Sequence, residues 1–100
     1  MSKFINAFTW NQPPNEEFAS LRPAQAARAR ELMEQGTIQH LFLAEDNSGG
    51  WAIYNVSSRD EVLSILETLP LKKFMNNNVK ALQNAYSGAN SADLRTDFPE

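Results

Sequence analysis

The sequence predicts an α+β domain of the ferredoxin-like class: a βαββαβ chain whose strands form one four-stranded antiparallel sheet, with both helices on one face. Two observations lead there. Strand-like and helix-like segments are interleaved along the chain. The two middle strand-like segments, 37–45 and 51–56, are joined by the turn-rich stretch DNSGG at 46–50, which reads as a hairpin with a longer loop. A length of 100 residues suits one domain with one modest core.

Each element has a local reason. Residues 3–10, KFINAFTW, alternate Phe4, Asn6, Phe8 and Trp10 on one parity with Ile5, Ala7 and Thr9 on the other, as a strand does. NQPPN then breaks the strand. Asn15 is a helix N-cap with Glu16 and Glu17 behind it, where the helix dipole favours negative charge. The helix runs to about Gln35, and Gly36 is its C-cap signal. Pro23 either kinks this helix or marks its first turn, with the regular part starting near Ser20. Phe18, Leu21, Ala29, Leu32 and Met33 share one face, with Gln25 in the middle of it, while Arg22, Arg30 and Glu34 read as solvated. Ser58 and Glu61 form a capping box for the second helix, Val62, Ile65, Leu66 and Leu69 make its apolar stripe, and Pro70 stops it. The last strand is expected near 77–86, followed by a polar tail over 87–100.

Composition excludes several classes. A net charge of -3 leaves no electrostatic footprint for nucleic acid or an anionic membrane. The absence of cysteine removes disulfides, thiolate nucleophiles and zinc-finger spacings. MSKFINAFTW lacks the pattern of a signal peptide, and no apolar run approaches the ~20 residues of a membrane span. A cytoplasmic protein is the expectation. No phosphate-binding glycine loop and no metal-ligand cluster is visible.

Three segments then carry a resemblance: EQGTIQHLF (34–42), IYNVSSRDEV (53–62) and LETLPLKKFMNNNV (66–79). Together, in this order, they resemble the muconolactone isomerase family of dimeric α/β-barrel proteins over roughly residues 20–82. The resemblance implies a cofactor-independent, metal-independent shift of a lactone double bond. It also implies a homodimer in which two sheets face each other, or a larger ring of such dimers. The family pattern carries an arginine after the aromatic residue where this chain has Leu43, a carboxylate in the first helix where it has Gln25, and a glycine where it has Asp46.

Proton transfer between carbons needs a base and donors for the enolate oxygen. His40, the only histidine, is the candidate proton shuttle if the parity of Ile38, His40 and Phe42 faces a cavity between the two sheets. The alternative is a histidine bonded to a neighbour or to the dimer mate. Tyr54 is a candidate polar partner and Glu45 a candidate base, although solvation at the hairpin end also explains Glu45. Candidate binding residues are Asn6, Phe8, Trp10, Gln25, Phe42, Trp51, Asn78 and Lys80. Lys80 would stand in for the missing arginine as a carboxylate partner. Gln25 would otherwise bond to backbone. Tyr54 and Trp51 have opposite parity, so only one can enter a cavity. Without a partner, Trp10, Phe8, Phe42 and Trp51 or Tyr54 would lie in water. Two functions remain: an isomerase for a small enolisable lactone or cyclic ketone, or a non-catalytic small-molecule-binding or assembly protein on the same fold.

Overall fold

The computed structural model describes residues 2–83 and 87–94. The elements are β1 (Ser2–Trp10), α1 (Glu16–Glu34), β2 (Ile38–Leu43), β3 (Gly49–Val56), α2 (Arg59–Leu66) and β4 (Met75–Leu82), with short 3-10 turns at Lys72–Phe74 and Gly88–Asp93. The sheet order is β2-β3-β1-β4, and every neighbouring pair is antiparallel. This is the predicted ferredoxin-like arrangement. The last strand starts at Met75, two residues before its predicted start. Its predicted end at 84–86, the boundary at 86/87 and the final residues 95–100 lie outside the described residues.

The helix ends follow the sequence chemistry. Asn15 Oδ1 accepts the Phe18 N–H at 2.8 Å, satisfying one of the orphan donors of the first turn. α1 is continuous through Pro23, so the later start near Ser20 does not occur. At its other end Gly36 takes φ +79°, the Thr37 N–H donates to Leu32 O and the Gly36 N–H to Met33 O, both at 3.0 Å. This paired closure requires the left-handed residue that glycine supplies. At α2, Ser58 Oγ accepts from the Glu61 N–H, and the Glu61 carboxylate reaches back to the Ser57 N–H at 2.9 Å.

Both helices pack on one face of the sheet. Phe4, Phe8, Ile38, Tyr54, Val56 and Val79 point from the sheet to Phe18, Leu32, Val62, Leu66 and Leu69; each such side chain contributes roughly 1.5–3 kcal/mol by leaving water. Met33, predicted on the buried face, is 45 % exposed near the end of α1. β3 approaches β1 closely at Gly49, where a Cβ would lie 2.0 Å from the Phe8 carbonyl oxygen, so a larger residue there would force the strands apart.

The division of residues between faces differs from expectation. Phe8 and Tyr54 are buried and Trp10 packs on the core, all under the helices; of the predicted exposed aromatics only Phe42, at 53 %, and Trp51, at 44 %, lie open. The cause in β1 and β3 is their pairing: Phe4 sits opposite Tyr54, so the parity that holds Phe8 is also the parity of Tyr54. In β2 the cause is a register shift between Ile38 and His40. Ile38 pairs with Tyr54, yet His40 pairs with Ile53 and Phe42 with Trp51. The extra residue, Gln39, breaks the period-two alternation, and Ile38 and His40 face opposite sides.

Candidate functional site

A cavity of about 600 Å³ lies between α1, the helix-side face of the sheet and the segment that joins α2 to β4. Its floor is made by the buried side chains of Asn6, Phe8, Ala52 and Tyr54, and its mouth by the exposed Pro14, Arg22, Leu43 and Asn47. This cavity lies within one chain, on the helix side of the sheet. Its size suits a small flat ligand.

The aromatic wall is an edge-to-face series. Ring centroids of Phe8 and Trp10 are 5.5 Å apart, those of Trp10 and Phe18 5.0 Å, a spacing at which such pairs attract. Three polar groups interrupt the apolar lining at depth. The Tyr54 hydroxyl is 2 % exposed as a residue, and burial pushes its pKa up to about 12, with the Arg28 guanidinium pulling weakly the other way. It is a neutral donor at every physiological pH, and no base. Gln25 Oε1 accepts the Leu71 N–H at 3.0 Å. That bond supplies the expected backbone partner for a half-buried glutamine and leaves its Nε2 as a donor on the cavity wall. Asn6, 1 % exposed, donates from Nδ2 to Asn77 Oδ1 at 2.9 Å, while its own Oδ1 has no partner. An unpaired buried acceptor costs about 1–3 kcal/mol.

The predicted site residues therefore divide. Asn6, Phe8, Trp10, Gln25 and Tyr54 line the cavity. His40, Phe42, Trp51, Asn78 and Lys80 do not: the pairings His40–Ile53, Phe42–Trp51, Asn78–Ala7 and Lys80–Ile5 put them on the opposite sheet face. There the His40 and Phe42 rings stack at 5.9 Å. Glu45 is exposed at the hairpin end and is not among the residues lining the cavity. Next to it, Asp46 accepts the Ser48 N–H at 3.0 Å, which fixes the turn; the Ser48 hydroxyl first, and this N–H second, lower the pKa of its carboxyl. Lys80, expected in place of the family arginine, lies across the sheet from this cavity. Arg22 and Asn47 line the cavity without having been expected there. The place of Arg22 off the apolar stripe of α1 reads as solvated, and it is exposed, but it also lines the cavity mouth with Leu43.

Among the described residues no cluster of His, Cys, Asp or Glu could hold a metal ion, and no helix is long and apolar enough to cross a membrane. No carboxylate or imidazole lines the cavity among the described residues.

Fold and cavity together define a ferredoxin-like α+β domain with a ligand-sized chamber beneath its helices. The family model described as muconolactone delta-isomerase matches residues 5–87, and the chain belongs to that family. It is 28 % identical over 80 residues to the Muconolactone Delta-isomerase of Acinetobacter baylyi, covering 80 % of this chain and 83 % of that protein. A crystal structure of muconolactone isomerase superposes with a TM-score of 0.73 at 23 % identity, over 85 % of this chain and 92 % of that one. The 5-chloro-2-hydroxyhydroquinone dehydrochlorinase of Burkholderia phenoliruptrix, in complex with 2,5-dihydroxybenzoquinone, follows at 0.69 and 18 %, over 83 % and 95 % of the two chains. These two structural likenesses speak for the fold alone.

Proposed function

We propose that this muconolactone-isomerase-like chain binds a small, flat, carboxylate-bearing lactone or related enolisable ring in the helix-side cavity and stabilises its enolate. The observation that carries the reading is Tyr54: a hydroxyl kept protonated by burial at the floor of an apolar chamber. Such a donor strengthens as negative charge develops on a carbonyl oxygen. The Gln25 amide supplies a second donor, and the Arg22 guanidinium at the mouth suits a carboxylate. Double-bond migration removes a proton from one ring carbon and returns it to another, so atoms and charge balance without a cofactor. The base is the missing part, since the described cavity wall offers none. That observation favours a second reading, a binder of the same ligand class without turnover.

The dimer belongs to this proposal too. Phe42 and Trp51, exposed at 53 % and 44 % on the open sheet face, are aromatic anchors of the kind that interfaces bury, and a second sheet would cover them. His40 then serves the contact between copies, and the cytoplasm remains the expected location.

The test is proton NMR of muconolactone in deuterated buffer. Enzyme-dependent exchange and isomerisation, reduced about 100-fold or more in Tyr54→Phe, support the isomerase. Saturable binding with exchange at the buffer rate supports the binder. Neither binding nor exchange overturns the cavity assignment.

A further inference from the structure

We infer that Asn6 determines ligand specificity, and that the ligand's ring carries a hydroxyl group which donates to Asn6 Oδ1. The inference rests on the cavity reading above and adds the substrate class. Asn6 stands at the middle of β1, the central strand that pairs with both β3 and β4. Its inward neighbours along the strand are Phe4 and Phe8, both buried. An apolar residue would fit this position without leaving any backbone group unpaired, because the ladder bonds of β1 do not involve the side chain. The amide is instead held from one side only. Asn77 Oδ1 takes the Nδ2 proton at 2.9 Å, which fixes the amide plane and leaves Oδ1 the single buried side-chain polar atom without a partner among the described residues. Asn6 also lines the cavity, so the group that completes it enters with the ligand.

The donor's chemistry is constrained by the other walls. The charged side chain at the cavity is Arg22, and no carboxylate lines it among the described residues. An ammonium donor would find repulsion and no counter-charge. A neutral hydroxyl on a ring suits an apolar chamber with one acceptor at its floor. A site built to bond a hydroxyl holds the analogue that lacks one less tightly, because its own acceptor is then left unpaired.

The experiment compares phenylacetate with its three ring-hydroxylated isomers by isothermal titration on the full chain. All four carry a flat ring and a carboxylate for Arg22. At least one hydroxylated isomer is expected to bind about tenfold more tightly than phenylacetate. In Asn6→Leu the preference should vanish, the four ligands binding within about twofold of one another. The same variant should melt at a higher temperature, which a merely structural asparagine would not allow. A preference that is absent in the wild type, or that survives in Asn6→Leu, overturns the inference and leaves the cavity reading standing. Failure of all four ligands to bind overturns both. If Asn6→Leu does not fold, the wild-type side-chain amide resonances of Asn6 decide. They should move on adding the preferred hydroxylated isomer and stay in place with phenylacetate; equal movement with both overturns the inference.

Discussion

The helix-side face of the sheet holds Phe8, Trp10 and Tyr54, and the opposite face holds Phe42, Trp51 and His40. The residue types are nearly the same on both. What differs is the cover. On the first face α1 and the approach to β4 close over the rings and leave a chamber, so burial there raises the Tyr54 pKa to about 12 and isolates an amide oxygen. On the second face the rings of Phe42 and Trp51 meet solvent. Aromatic content alone does not make a ligand site; enclosure does, because it removes the water that would otherwise satisfy or screen each polar group.

The comparison can be broken most sharply at Phe8. Phe8→Ala should lower unfolding free energy by about 3–5 kcal/mol in urea titration, since the ring is 7 % exposed and in contact with the core. A loss below about 1 kcal/mol would mean that the helix side is not the packed side. Next in size is the alkaline limb of stability. The folded Tyr54 pKa of about 12 lies above the ordinary value of 10, so the unfolded chain releases its proton first. Stability is therefore intact below pH 10 and falls as pH rises from 10 to 12, by about 3 kcal/mol. Tyr54→Phe should flatten that limb, and an unchanged limb would show a solvated hydroxyl. On the open face, Trp51→Lys should weaken self-association by about 2 kcal/mol, roughly 30-fold, in sedimentation velocity; an unaffected equilibrium would put the contact between copies elsewhere. The smallest effect is assigned to His40. His40→Ala should leave ligand affinity for the helix-side cavity within about twofold, because the whole sheet lies between them. A large loss would return the histidine to the site.

Much of the fold was legible because its signals are local. Asn15, Gly36, Ser58 with Glu61, and the DNSGG turn each act within four or five residues, and each does in the structure what its chemistry requires. The alternation of β1 was legible too. Which parity the helices would cover was not, because alternation fixes that two faces exist and not which one is roofed. Gln25 was placed correctly on the apolar face of α1, and its backbone partner Leu71 lies 46 positions away. Arg22 escaped for the same reason: its place at the cavity mouth is set by its opposite wall, Leu43 and Asn47, which no helical wheel contains. The resemblance spanned roughly residues 20–82, and the family match extends it to 5–87, taking in β1 and with it Asn6.

The register shift at Gln39 also bears on how such a chain can change. Substitutions at His40 only alter what the outer face displays. A one-residue deletion at 39 would remove the extra residue and leave Ile38 and His40, already on opposite sides and paired with consecutive residues of β3, in strict alternation with no side chain turned over. A deletion within 40–43, where no bulge absorbs it, would instead exchange side chains between the ligand chamber and the outer surface in a single genetic event. Related chains that lack residue 39 are thus expected to present the same chemistry to the chamber, and those shortened within 40–43 a different one.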